Sequence, residues 1–242
     1  MNTKSTIGVM HGMQIKLSER LAVVAAFVPL GSVVADIGTD HGYLPAHLIM
    51  EGISPYVIAA DVHELPLSKA VQLVSLLAID KKVSLRLGDG LKVLTPGEAQ
   101  AIVIAGIGAL TMIHILSASP DVLGKTKRLV LQPMRDTVKL REWLINNNWI
   151  IIDEELVCEE DQYYEIIVAE PGLSTLTPEE MEFGPILLQK KHPLLKAFLR
   201  EKLKTLKNID QALDYATNPK GQAQKEDIKK KIGDLERVRA SL

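Results

Sequence analysis

A single cysteine, Cys158, stands in the whole chain, so no intramolecular disulfide can form. Small disulfide-stapled secreted scaffolds are thereby excluded, and a reducing, intracellular setting is expected. The six histidines are scattered. None falls into HxH or HExxH spacing and there is no CxxC pair, so the usual frames for zinc are missing and no metal is expected. The opening MNTKSTIGVMHGMQIKLSER has no continuous apolar core of signal-peptide length. A long apolar run is missing as well. Ala99 to Pro120 lacks Asp, Glu, Lys and Arg, but Gln100, Gly106, Gly108, Thr111, His114 and two serines interrupt it. That composition suits a buried strand leading into a buried helix, not a membrane span. The expectation is a soluble cytoplasmic protein.

Strong net charge is also absent: the balance is −2 over 242 residues. Its distribution is uneven. Residues 190–242 carry fourteen Lys/Arg against seven Asp/Glu, and residues 1–189 carry fourteen against twenty-three. A basic C-terminal part suggests a polyanionic partner, against the blander alternative of a solvated lysine-rich face. Apolar residues make up 47%, enough for the core of one ordinary domain with an appendage.

Along the chain, short apolar runs alternate with helical patterns. Leu17–Phe27 reads as a helix, with Ser18 as its N-cap and Pro29 beyond its end. Strands are expected at Ser32–Ile37, Tyr56–Ala60, Val83–Leu87, Ala101–Ala105 and Arg128–Leu131. Helices are expected at Tyr43–Glu51, Leu67–Ile79, Thr111–Ser117 and Thr137–Asn146. Continuous Val, Ile and Ala runs fit strands covered on both faces, and the repetition argues for a doubly wound α/β domain with a mostly parallel sheet. Trp149–Val157 and Tyr163–Ala169 flank the acidic turn CEEDQ and read as an antiparallel hairpin. Residues 171–185 are linker-like in their Pro, Gly, Ser and Thr content. Beyond them, Leu195, Leu199, Leu203, Leu206, Ile209, Leu213 and Ala216 recur at helical spacing. Asn218–Gly221 breaks the pattern, and Ile228, Ile232, Leu235, Val238 and Leu242 resume it. An antiparallel, coiled-coil-like helical hairpin is expected. The division is then a tail over 1–13, an α/β domain over 14–170, a linker over 171–189 and a basic hairpin over 190–242.

The first strand runs into ADIGTDHGYLP, Ala35 to Pro45. A glycine-rich turn here is where doubly wound folds hold nucleotide-type ligands. The dinucleotide fingerprint needs Gly-x-Gly-x-x-Gly. This turn offers Gly38-x-x-x-Gly42, with Asp40 where the second glycine would lie. A carboxylate there repels pyrophosphate and suits a ligand carrying positive charge. S-adenosyl-L-methionine (SAM) has an ammonium and a sulfonium and no phosphate. Asp61 ends the second strand, where an acid can accept from both ribose hydroxyls. Asp89, followed by Gly90 in LGDG, ends the third and can meet an adenine amino group. Singly, such acids are helix caps or turn residues; as a set, Asp36, Asp40, Asp61 and Asp89 favour SAM over NAD.

Substrate chemistry is expected beyond the fourth and fifth strands. Gly106 and Gly108 in AGIGAL let a flat substrate lie on the backbone, or simply make a tight turn. Gln132 in LQPMRD is the polar side chain best placed to meet a substrate. Tyr43 can stack on a base or pack.

These segments together resemble the TrmK family of bacterial tRNA methyltransferases that modify N1 of adenine 22. The resemblance lies in LSERL (Leu17–Leu21), ADIGTDHGYLP, GDGL (Gly88–Leu91), IAGIGA, LQPMRDTVKLREWL (Leu131–Leu144) and the EDQYYEIIVAE hairpin. It covers about residues 14 to 242. Gly108-Ala109 departs from it, where a Gly-Gly pair is expected, and so does the segment before Met13. The resemblance implies a class I SAM-dependent methyltransferase fold, SAM as donor and tRNA as substrate. Under it, Asp36, Gly38, Asp40, Asp61, Asp89, Gly90 and Gly106 bind the donor. Asp40 and Gln132 serve catalysis. Arg20, Tyr43, Gly108, Arg135, Lys229, Lys230 and Lys231 meet the RNA. Competing readings are a methyltransferase for another RNA, a protein or a small molecule, an NAD(P)-dependent oxidoreductase, and a non-catalytic RNA-binding module.

Overall fold

The computed structural model describes residues 15–215 and 219–242. The expected tail over 1–13, and Ala216 and Asn218 of the expected helical hairpin, lie outside those residues. Seven strands form one sheet in the order β3-β2-β1-β4-β5-β7-β6. They are β1 (Val34–Ile37), β2 (Val57–Asp61), β3 (Val83–Leu87), β4 (Ala101–Ile107), β5 (Arg128–Pro133), β6 (Trp149–Glu159) and β7 (Gln162–Pro171). The first five pair in parallel. β7 runs antiparallel between β5 and β6. Glu160 and Asp161 join β6 to β7, both with positive φ, the geometry of the tight primed hairpin turns.

β1, β2 and the first four residues of β4 are buried throughout, as expected of strands covered on both faces. On the two faces lie α1 (Glu19–Ala26), α2 (Tyr43–Met50), α3 (Glu64–Leu76), α4 (Ala109–Ser117), α5 (Pro120–Leu123) and α6 (Thr137–Asn146). Ser18 caps α1, accepting from the Leu21 amide. Helix α3 starts three residues before its expected position, at Glu64, and α4 two before, at Ala109. The one-turn helix α5 was not foreseen.

The segment expected to be a linker carries two short helices, α7 (Pro178–Phe183) and α8 (Pro185–Gln189). Thr177 and Glu180 form a reciprocal capping box around Pro178, a start signal that was present in the sequence. A buried charge cluster fixes these helices to the sheet. Arg141 of α6 is fully buried and donates to Glu154 (2.9 Å) and Glu165 (2.7 Å). Glu154 also accepts from the Ile186 amide, and Arg141 from its other nitrogen donates to the Met181 carbonyl. Gly184 sits at φ +90°, and a Cβ there would lie 2.6 Å from a Glu154 oxygen. The backbone must pass so close to the ion pair that only glycine fits.

Helices α9 (Leu195–Ala212) and α10 (Pro219–Ser241) form the C-terminal hairpin. Pro219 to Gly221 begin α10, where a helix break was expected; α9 ends earlier, at Ala212, and a single 3-10 turn follows it over Leu213–Tyr215. The apolar stripes meet as expected: Leu195, Leu199, Leu203, Leu235 and Val238 are buried with Leu156, Phe183 and Leu187. The exposed faces are more paired than the sequence suggested. Lys204 pairs with Glu201, Lys207 with Glu236 and Lys231 with Asp227. Lys202 turns inward, 4.0 Å from Glu165 and over the Phe198 ring. It supplies the second cation that two buried glutamates around one arginine require.

Candidate active site

In this strand order the topological switch falls between β1 and β4, so a crevice opens beyond their C-terminal ends. A cleft of about 640 Å³ lies there. It gathers Arg20, Asp36, Gly38, Asp40, Tyr43, Asp61, Asp89, Gly90 and Gly106, nine of the residues singled out from the sequence. Gln132 is fully buried behind its wall. Gly108 and Arg135 adjoin the substrate side: a Cβ on Gly108 would lie 3.2 Å from the Arg135 Nε. Lys229, Lys230 and Lys231 are on α10 and line no part of the cleft. Lys230 and Lys231 border a second cavity, of about 620 Å³, between α7 and α10.

The turn after β1 is folded on itself. Gly38 and Thr39 both donate their amides to the Ala60 carbonyl, at 2.8 and 3.0 Å. The Asp40 amide donates to Asp61 Oδ2 (3.3 Å) and the Gly42 amide to the Thr39 carbonyl (3.0 Å). A phosphate cradle needs such amides free and aimed outward. Here four of them are spent inside the protein. Gly42 is required on a second ground: its φ is +76°, and a Cβ would lie 2.9 Å from that of Ala70 on α3.

The acids are placed differently from one another. Asp36 is buried, and its Oδ2 has no hydrogen-bond partner. Burial raises its pKa to about 6; the neighbouring Thr39 hydroxyl opposes the shift and the Asp61 charge adds to it. An orphaned buried carboxylate at a cleft wall fits a cationic ligand group. Asp61 is held by the Asp40 and His63 amides, the latter at 2.9 Å, with lone pairs left on both oxygens for a diol. Asp89 is half exposed and bonded to Lys92, which holds its carboxyl below the ordinary range. Asp40 has φ +50°, and its side chain is mostly exposed, 3.4 Å from His41. His41 stacks on Tyr43.

On the substrate side, Gln132 Oε1 accepts from two donors, Arg20 Nη1 (2.5 Å) and the Gly106 amide (3.0 Å). Its Nε2 donates to the Pro133 carbonyl at 3.0 Å. The Arg20 guanidinium lies over the Tyr164 ring at 5.3 Å, with its Nε 4.0 Å from Glu159. Tyr164 and Tyr163 alternate across β7, so Tyr163 faces the other way and packs on Phe198 of α9. Glu159 and Tyr164, and the cleft histidines His63 and His114, were missed from the sequence. His63 lies two residues beyond Asp61, and the rule that picked out Asp61 by its strand end reaches it. Nothing local in the sequence ties Tyr164 to Arg20.

Among the described residues no group of His, Cys, Asp and Glu has a metal-binding arrangement, and no helix is long and apolar enough to cross a membrane.

Comparison with known proteins agrees with this geometry. The family model for TrmK, tRNA (adenine(22)-N(1))-methyltransferase, matches residues 34–237. The tRNA (adenine(22)-N(1))-methyltransferase of Bacillus subtilis is 34% identical over 218 residues, 88% of this chain and 92% of its own. The crystal structure of B. subtilis TrmK superposes with a TM-score of 0.86, covering 93% of this chain and all of that one at 33% identity. A Streptococcus pneumoniae protein solved in complex with S-adenosyl-L-methionine is 30% identical, with a TM-score of 0.84 over 93% of this chain and all of its own. TrmK of M. capricolum, solved with S-adenosyl-homocysteine, gives 0.80 at 25% identity over 93% of this chain and 98% of its own. The chain belongs to the TrmK family, the tRNA (adenine(22)-N(1))-methyltransferases.

Proposed function

We propose that this protein transfers a methyl group from S-adenosyl-L-methionine to N1 of adenine 22 in tRNA. The observation that carries this reading is the cleft itself. It sets carboxylates at the ends of β1, β2 and β3 around a turn four of whose amides are already used, in a chain of this family. SAM supplies, when bound, an electrophilic methyl group on a sulfonium. Asp36 faces the donor's cationic end, Asp61 accepts from the ribose hydroxyls, and Asp89 with Gly90 meets the adenine. Gly38 and Gly106 allow close backbone approach.

Neutral adenine N1 has an in-plane lone pair, so no strong base is needed before attack. Positioning then does most of the work. Positive charge moves onto the adenine as the methyl group arrives, and acceptors near the ring edge stabilise it. Asp40 and the carbonyls of Gly106 to Gly108 take that role. Gln132, buried behind the wall, acts on the residues in front of it and not on the base. The target base leaves the RNA stack to reach the cleft, where Tyr43 can stack on it and Arg135 can hold a neighbouring phosphate. Residues 14–170 act as the methyl-transfer domain and 190–242 as an RNA-binding hairpin. Lys229, Lys230 and Lys231 contribute to phosphate contacts. The protein works as a monomer in the cytoplasm.

The test is methyl transfer from labelled SAM to unmodified tRNA, followed by mapping of the labelled nucleoside. N1-methyladenosine at position 22, abolished by an A-to-G change there, supports the reading. Label at another nucleotide, or in protein only, refutes it.

A further inference from the structure

We propose that Leu110 and Met134 form an apolar wedge that enters the RNA stack as the target adenine leaves it, and that this pair sets the rate of base flipping. This rests on the tRNA reading above.

Single apolar side chains scattered over a surface need no explanation. These two share one place in the fold. Leu110 is 54% exposed and Met134 46%. Leu110 stands in the first turn of α4 and Met134 just past β5, on the two turns expected to receive the base. Backbone hydrogen bonds stitch those turns together. The Met134 amide donates to the Ile107 carbonyl at 2.9 Å, and the Ala109 amide to the Arg135 carbonyl at 3.2 Å. Leu110 follows Ala109 and Met134 precedes Arg135, so one rigid unit carries both side chains. Gln132 Nε2 also reaches the Met134 sulfur at 3.7 Å, restraining a side chain that is otherwise adaptable.

Neither residue lines the donor cleft, although Ile107 and Thr111 do. Thr111 lies about 100° around the helix from Leu110, so Leu110 is turned out of the cleft at its substrate side. The charge beside the pair suits RNA. Arg135 is exposed, and a Cβ on Gly108 would lie 3.2 Å from its Nε. A guanidinium there can hold a phosphate next to the gap that a departing base leaves.

Extruding a base breaks its stacking on both neighbours. Proteins that distort nucleic acids offset this by inserting Leu, Met, Ile or Phe between bases. An adenine that reaches the Gly106–Gly108 backbone from a folded RNA has to cross this rim, and the bases it leaves behind then face Leu110 and Met134. Leucine has no side-chain hydrogen-bonding group and methionine only a weak thioether acceptor. The pair therefore lowers the cost of extrusion without reading sequence.

The experiment is single-turnover methylation at saturating labelled SAM with two RNAs. One is intact tRNA. The other carries an abasic nucleotide next to adenine 22, so part of the stack is already lost. The double variant Leu110→Ala/Met134→Ala should slow transfer to intact tRNA by roughly ten- to a hundredfold, the worth of the half of each side chain left to bury. Transfer to the abasic tRNA should slow by less than about threefold. SAM affinity and the Kd for tRNA should stay at wild-type values. L110M/M134L, which keeps the apolar bulk, should restore the rate. Equal slowing on both RNAs overturns the proposal and makes the pair a structural element. An unchanged rate on intact tRNA overturns it as well and leaves the patch to a protein partner. Wild-type protein that labels neither RNA refutes the tRNA reading itself, and the wedge with it.

Discussion

Arg141→Met tests what holds the helical hairpin to the catalytic sheet. The guanidinium is fully buried and bridges Glu154 and Glu165, with a further bond to the Met181 carbonyl. Removing it leaves two buried carboxylates with only Lys202, 4.0 Å from one of them, as a counter-charge. Breaking a buried ion pair from one side costs about 3–5 kcal/mol. For a chain of this size each kcal/mol moves Tm by about 2–4 °C, so a fall of roughly 6–20 °C is expected. The pH dependence is a sharper signature. Burial already raises the Glu154 pKa, with Arg141 holding it back, while Lys202 and Arg141 together outweigh burial and lower that of Glu165. Without Arg141 both carboxyls rise above their unfolded values. The folded variant then binds more protons than the unfolded chain between those values. Its stability must fall as pH rises through that window. The deficit against wild type should therefore be smaller near pH 5 than near pH 8, read by thermal melts in matched buffers. R141M/E154L/E165M, which removes the whole cluster, should recover part of the loss. A pH-independent deficit, or a shift below about 2 °C, would refute the reasoning.

Other outcomes follow from the cleft and the hairpin. Asp36, with its pKa near 6, should bind a cationic donor only when ionised. SAM affinity should fall by up to about tenfold per pH unit below that point and level off above it, with proton release on binding visible by calorimetry in buffers of different ionisation heat. Asp36→Asn should abolish that pH dependence. Asp61→Ala should weaken SAM by about 1–3 kcal/mol, since the ribose hydroxyls lose a charged acceptor; unchanged affinity by calorimetry would remove Asp61 from the site. Replacing Lys229, Lys230 and Lys231 with Gln should weaken tRNA binding and flatten its salt dependence without changing SAM affinity. Wild-type salt dependence in that variant, measured by filter binding, would make these lysines a solvated face.

Much of the fold was legible because each strand is a short apolar run punctuated by turn residues. Val83–Leu87 and Thr137–Asn146 lie where the pattern put them. The acids of the cleft were legible for the same reason: they sit at strand ends, and parallel strands bring those ends together. Gln132 was legible as important but not as buried, because its partners Arg20 and Gly106 lie 112 and 26 residues away. The helices α7 and α8 were hidden by composition. Their Pro and Thr residues read as a loop until Arg141 and Glu154, from distant elements, give the backbone amides and carbonyls there something to bond. Lys202 of α9 reads as one of a solvated row, and Glu165, on β7, shows why it turns inward.

The closed hydrogen bonding of the turn after β1 bears on competition. Adenosine is common currency in a cell, carried by abundant nucleotides that also present a ribose and an adenine. A site that recognises only those two pieces would be crowded by them. Here the amides that would welcome a phosphate are bonded to Ala60, Thr39 and Asp61, and carboxylates stand beside them. A polyphosphate at this turn would meet four amides already bonded as well as the carboxylates, so missing hydrogen bonds would count against it along with charge. That form of exclusion should hold at high ionic strength, where repulsion between exposed charges fades.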